Sequence, residues 1–371
     1  MVVMAIITVV VGRLFGVTEL FVLGAGFLTL ALCCIFWVHL RPISLEVRRH
    51  AFPDQLQVGD TGRVELEVTN RARTTASLLS LWEPVSNMGG ASLRLAPLRS
   101  GESASASYRL AATQRGTITF GPLVAERRDP FGLAGLRRVV AGSGELVVLP
   151  AHHRINVPTG SAGTGPLGNL LRVRSMSQTG TEFRSLREYV TGDDLRTVSW
   201  RASARTDTLV VREVEPEGLK RCTVVLDLDE SQYDNDSFER AVSAAASTVV
   251  TVFQTSLKLR FVTGESGDYR NTDPAMALRR LADITTETEP SLNDAVMKVS
   301  TGEGLGLVVV ITGNPSSPMT QRVARTIGPA DALVTVACTS MSSASLGFVV
   351  DATADDMFAI SWANLTGGTP V

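Results

Sequence analysis

Arg184, Arg187, Arg196, Arg201, Arg205 and Arg212 lie among Glu182, Glu188, Asp193, Asp194, Asp207 and Glu213 within residues 180–213. Six guanidinium groups facing six carboxylates can pair almost completely. Arg suits this because its planar fork holds a carboxylate through two hydrogen bonds. The set is open to three readings: an ion network joining two domains, a surface for docking a partner, or acid–base catalysis. The network is the leading reading, built on Glu182, Arg187, Asp193, Arg196, Arg205, Arg212 and Glu213, with Tyr189 and Trp200 as its aromatic members. Catalysis is the weakest. Carboxylates beside Arg stay ionised rather than serving as raised general acids. Ser203 is outside any G-x-S-x-G elbow and has no His near it in the sequence. No Cys–His pair stands out, so no enzyme is expected. If the network is partly buried, Asp193→Ala should strand a charge at a cost of roughly 3–5 kcal/mol.

The elements that position these residues follow from local pattern. Phe183, Leu186, Tyr189 and Val190 fall at helical spacing, which predicts a short helix over 181–190. Gly192 stops it, and Asp193 sits at a turn where its carboxylate can accept backbone N–H groups. Residues 208–214 are rich in β-branched side chains and read as a strand.

The run G-x-E-F-x-x-L-R-x-Y-x-x-G-D-x-x-R-x-V-x-W-x-x-S-A-R-x-x-x-L-x-V-R-E, from Gly180 to Glu213, resembles the signature of the domain-of-unknown-function 58 family. Those are bacterial proteins usually partnered with MoxR-type AAA+ ATPases, and the rest of the chain is laid out similarly. The family has no settled reaction, so the resemblance implies an architecture and a partner rather than a mechanism.

A chain of 371 residues has room for about two soluble domains and further segments. Its formal net charge of −2 gives no reason to expect nucleic-acid binding. Cys33 and Cys34 are adjacent in an apolar run, while Cys222 and Cys338 fall in predicted strands, so the spacing suits a reducing compartment better than a disulfide framework. The four histidines make no zinc set.

Residues 1–40 read as a transmembrane anchor. Residues 20–38, LFVLGAGFLTLALCCIFWV, carry no charge and are long enough to cross a bilayer core of about 30 Å. The shorter apolar run at 2–11 allows a two-helix hairpin with its turn at 12–18. A cleaved signal peptide needs a basic region that residues 1–11 lack. Arg41, Arg48 and Arg49 follow the span and only Arg13 precedes it, so the positive-inside rule puts the C-terminal portion in the cytoplasm at the cell membrane.

Residues 43–150 read as an immunoglobulin-like β-sandwich. Residues 63–69, RVELEVT, alternate with period two, and similar runs lie at 44–47, 78–82, 92–95, 105–110, 117–120 and 145–149. Asp129-Pro130-Phe131-Gly132 is a Pro-fixed turn, also found at this place in the family, with its Phe expected to be buried. Residues 151–176 read as a Gly-rich linker and 177–217 as the signature segment.

Residues 218–371 alternate strands (222–228, 257–262, 305–312, 332–338) with helices (238–256, 274–284, 292–299, 319–326), which implies a doubly wound, mostly parallel α/β sheet. The first strand ends in Asp227-Leu228-Asp229-Glu230-Ser231. This resembles the D-x-S-x-S metal motif of von Willebrand type A domains, and implies Asp227, Asp229 and Ser231 as oxygen ligands of a type that suits Mg²⁺. Two departures weigh against a working site: Pro290-Ser291 stands where the ligand Thr belongs, and Ile311-Thr312-Gly313-Asn314 lacks the second Asp. A type A fold without metal is therefore the leading expectation, with no cofactor. Together these readings give a membrane-anchored cytoplasmic adaptor that touches the bilayer and, by resemblance, a MoxR-type AAA+ ATPase. The alternative is a divalent-metal-dependent ligand-binding module.

Overall fold

The computed structural model describes residues 2–40, 43–86, 88–157, 165–177, 182–206, 208–215, 221–234, 236–255, 257–263, 267–288, 305–328, 331–341 and 347–368. The chain divides into two compact units, Met1–Val148 and Leu149–Val371. It is a mixed α/β protein with several separate sheets.

The first unit opens with helices α1 (Val2–Leu14) and α2 (Thr18–Leu40), which pack against each other as a hairpin. Two glycines make the approach close: a Cβ on Gly12 would lie 2.5 Å from the Phe21 nitrogen, and one on Gly24 2.8 Å from the Val9 nitrogen. Of the two, α2 is long and apolar enough to cross a membrane. The turn between them is 15–17, shorter than the 12–18 expected from the sequence.

Ten strands follow: β1 (Leu45–Phe52), β2 (Leu56–Gln57), β3 (Thr61–Asn70), β4 (Leu79–Glu83), β5 (Ala91–Leu95), β6 (Ser103–Ala111), β7 (Gly116–Phe120), β8 (Leu123–Arg128), β9 (Gly135–Ala141) and β10 (Gly144–Leu149). They form sheets β1-β3-β6, β5-β4-β8-β9 and β2-β10-β7. On β3 the inward set Val64, Leu66 and Val68 is buried, as its period-two pattern requires. These side chains share one core with Leu79, Leu81, Leu95, Leu123 and Ala125 of the four-stranded sheet, so the two sheets form two layers. A polar tie crosses that core. Glu83 of β4 is fully buried, pairs with Arg49 of β1, and accepts the Tyr108 hydroxyl at 2.8 Å.

The second unit contains α3 (Pro166–Ser177), β11 (Glu182–Glu188), α4 (Trp200–Thr206), β12 (Val210–Glu215), β13 (Arg221–Leu226), α5 (Ser237–Phe253), β14 (Lys258–Thr263), β15 (Gly267–Arg270), α6 (Pro274–Asp283), β16 (Leu307–Thr312), α7 (Pro318–Thr326), β17 (Ala332–Ala337), β18 (Phe348–Asp351) and α8 (Met357–Thr366). The large sheet runs β15-β14-β13-β16-β17-β18, all parallel except the edge strand β15. One face, with Val224, Phe261, Val309 and Val334, packs on α5, α6, α8 and α3. The other, with Val225, Val262, Val308 and Val310, packs on α7. Helices on both faces explain why the strands read as unbroken apolar runs.

Two expectations are corrected here. The proposed linker 151–176 contains α3, whose Leu167 and Leu171 are buried in the core of the second unit. The helix expected over 181–190 is instead strand β11, paired antiparallel with β12. The helical spacing is overridden by pairing with the β-branched run at 210–215, with a register shift between Phe183 and Ser185. The helix expected over 292–299 lies outside the described residues.

Candidate functional site

Among the described residues, two clusters of polar side chains coincide with the residues singled out in the sequence. The first is the signature module, built from the β11–β12 ribbon and α4. The Ser199 N–H donates to the Val210 carbonyl at 2.8 Å, and the Ser203 hydroxyl accepts the Val210 N–H at 2.8 Å. Ser203 therefore staples α4 to β12, which is a structural use of its hydroxyl. Asp194 caps the short helical turn 195–197 by accepting the Arg196 N–H at 2.9 Å. Asp193 sits at the turn beside Gly192, whose φ of +117° favours glycine.

Arg187 grips Asp193 with two bonds of 2.7 Å, and the Val190 N–H adds a third at 2.9 Å. These donors, the guanidinium first, hold the Asp193 carboxyl down at about 2. The pair is only partly covered, with side chains 42% and 20% exposed.

The wider network expected from the sequence is not assembled around this pair. Arg196, Arg205 and Arg212 are exposed and form no ion pair among the described residues. The ribbon's register supplies one reason. Arg187 stands opposite Val211 and Arg212 opposite Leu186, so the two arginines point to opposite faces. Glu182 and Glu213 fall within the two strands, but their side chains lie outside the described residues, as does Asp207. Tyr189 is half-buried and its N–H bonds the Leu209 carbonyl. Trp200 is 68% exposed, and Val190, Leu195 and Leu209 are exposed in the same module. The fully buried carboxylate held by Arg is instead Glu83, in the first unit, which the sequence reading passed over. Its signal was slight: one acid at the end of an alternating run, with its partners 34 and 25 residues away.

The second place is the crevice beyond the carboxyl ends of β13 and β16. In chain order the six strands lie third, second, first, fourth, fifth and sixth across the sheet. In doubly wound sheets ligands bind where that order reverses, here between β13 and β16. Asp227 follows β13 and Thr312 ends β16. The Thr312 hydroxyl donates to the buried Asp227 carboxylate at 2.9 Å, and the Asp229 N–H donates at 3.2 Å. Burial raises the Asp227 pKa, against the pull of these donors. The Tyr233 hydroxyl donates to the Asp227 carbonyl at 2.7 Å, and its ring meets Phe238 edge-on at 5.2 Å. Gly313 is forced: a Cβ there would lie 1.7 Å from the Gln232 carbonyl oxygen.

The donor set in this crevice is largely turned on itself. Asp229 accepts both the N–H and the hydroxyl of Ser231, at 2.9 and 2.7 Å. The Thr288 hydroxyl reaches Glu230 at 3.3 Å, and the Glu287 N–H bonds the Leu228 carbonyl at 2.7 Å. Asp227 thus pairs with Thr312 and Asp229 with Ser231. Among the described residues no group of three or more His, Cys, Asp or Glu side chains is placed to hold a metal ion. Pro290 and Ser291 lie outside the described residues.

Residues 185–268 match the profile of a family described as Protein of unknown function DUF58, which covers most of the signature module and runs through β13, α5 and β14. An uncharacterized protein, YeaD of Bacillus subtilis, is 26% identical over 227 residues, covering 57% of this chain and 54% of that protein. The chain therefore spans about half the length of this relative. Among solved structures, the CARDB domain of a Pyrococcus furiosus protein aligns at 15% identity over 28% of this chain and 85% of that one, with a TM-score of 0.22. The Pseudomonas fluorescens alkylpurine DNA glycosylase AlkC aligns at 11% identity over 35% and 38%, with a TM-score of 0.20. Likenesses this slight carry no argument about fold or function.

Proposed function

We propose that this chain is a membrane-anchored adaptor that docks a partner through the signature module and performs no chemistry of its own. The observation that carries this is the exposure of Trp200 together with Arg196, Arg201, Arg205 and Arg212 on a stapled ribbon-and-helix platform. Trp and Arg are the side chains that most often dominate binding energy at protein interfaces. A catalytic reading finds no such support, because the Ser203 hydroxyl is used by Val210 and Asp193 is held ionised by Arg187.

The partner suggested by the family resemblance is a MoxR-type AAA+ ATPase, acting in assembly or maturation of proteins at the cell envelope. An acidic face on that partner would complement the arginines. Arg41, Arg48 and Arg49 after α2 favour a cytoplasmic location for both soluble units. We read the first soluble unit as immunoglobulin-like and the second as von Willebrand type A-like. The two-layer sheets and the 3-2-1-4-5-6 strand order support those readings.

The test is co-purification of the detergent-solubilised full chain with the AAA+ ATPase, with and without ATP. Recovery of the ATPase by wild type and its loss with Trp200→Ala, at unchanged melting temperature, are the expected results. Equal recovery by both would contradict the reading. The second reading, a divalent-metal-dependent ligand module, draws on Asp227 and Thr312 meeting at the strand-order reversal. It predicts a Mg²⁺-dependent rise in melting temperature that Asp227→Ala removes. The adaptor reading predicts little Mg²⁺ effect.

A further inference from the structure

The loop between β8 and β9 is built in an unusual way for a surface turn. Asp129 is buried, and its carboxylate accepts the N–H groups of Phe131, at 2.8 Å, and Ala134. The Asp129 carbonyl takes the Gly132 N–H at 3.1 Å, and its own N–H donates to the Ala134 carbonyl at 3.1 Å. The loop's backbone is thus largely satisfied by one aspartate. The side chain it thrusts outward is Phe131, 67% exposed, against the sequence expectation of a buried ring. A self-satisfied backbone bearing an apolar tip suits a medium poor in water.

The loop's position identifies that medium. The buried Cys34 of α2 lies near the Asp129 carboxylate, and α2 packs on β9. Cys34 is six residues from the end of α2, or about 9 Å at 1.5 Å per residue. It therefore lies inside the apolar stretch of the helix. A side chain carried beside it sits at the depth where amphipathic elements bury their apolar faces, about 5–10 Å into the headgroup–acyl boundary. Arg128 and Arg137, both largely exposed, share the single carboxylate of Glu126 at 2.7 and 3.4 Å, leaving this edge net positive. Such an edge favours an anionic lipid surface.

We propose that the 129–134 loop is a second membrane contact, with Phe131 seated among lipid acyl chains beside α2. The inference rests on reading α2 as a membrane span. It makes the first soluble unit a body clamped to the bilayer at two points rather than tethered by one helix.

The test uses the full chain reconstituted into vesicles containing anionic lipid and lipids brominated near the headgroup end of the acyl chain. Tryptophan emission of wild type is compared with that of Phe131→Trp and of Trp37→Phe. The emission gained in Phe131→Trp should be quenched at least twofold and blue-shifted. The emission lost in Trp37→Phe reports α2 separately. If the gained emission is unquenched while the Trp37 contribution is quenched, the loop contact is overturned and the span reading stands. If neither is quenched, both fall. Because Phe131 is exposed, the substitution should leave the circular dichroism spectrum unchanged. A silent loop in a variant with a native spectrum therefore counts against the proposal.

Discussion

Single side chains divide here by burial more than by type. Glu83 and Asp193 are both carboxylates gripped by Arg, yet Glu83 is fully buried and Asp193 is not. Glu83→Ala would strand the Arg49 guanidinium and the Tyr108 hydroxyl, at a cost of about 3–5 kcal/mol. Asp193→Ala should lower the melting temperature much less, because water screens its pair. Thermal melts of the two variants side by side check that order.

Asp193 and Asp227 predict opposite pH trends. Asp193 has a folded pKa of about 2, below the ordinary aspartate value, through its bond to Arg187. Its contribution to stability is present above the ordinary value and is lost as pH falls toward 2. Asp193→Asn should therefore differ from wild type near neutrality and converge with it near pH 2. Asp227 is raised by burial, so the folded state holds its proton longer than the unfolded chain does. Stability from that site is full below the ordinary aspartate value and is lost as pH rises through it toward the raised folded value. Asp227→Asn should flatten that decline, readable as melting temperature against pH.

At the scale of elements, the α/β unit was the more legible. Strands buried on both faces read as the apolar runs 222–228 and 305–312, and the structure places β13 and β16 there, β13 starting one residue earlier and ending two earlier, β16 starting two later. Helices α5, α6 and α7 stand where helices are expected over 238–256, 274–284 and 319–326. Strands β8 and β9 were missed because LVAERR and GLRRVVA carry charge clusters that mask alternation. Helix α8 and strand β18 were missed because α8, docked by Phe358 and Trp362, is apolar nearly all round and the strand is only four residues long. In the signature module, the residue types were legible but their faces were not. Faces depend on whether 182–188 is helix or strand, and that was settled by pairing with β12. Two element-scale tests follow. Ser203→Ala should cost about 1 kcal/mol by freeing the Val210 N–H. Gly313→Ala should prevent native packing of the crevice, because the clash is with backbone, whereas Gly62→Ala meets only the movable Leu56 side chain and should be milder.

For the molecule as a whole, α2 is apolar enough for a bilayer, and the signature module presents Arg and Trp to solvent. That arrangement suits a protein that holds a partner at a membrane. The most direct measurement is the affinity of the purified AAA+ ATPase for the full chain in lipid nanodiscs, compared between wild type and Trp200→Ala. A hot-spot loss of about 2 kcal/mol or more predicts binding weakened by about 30-fold or more, with melting temperature unchanged. Undiminished affinity would contradict the claim that this face is where the partner docks.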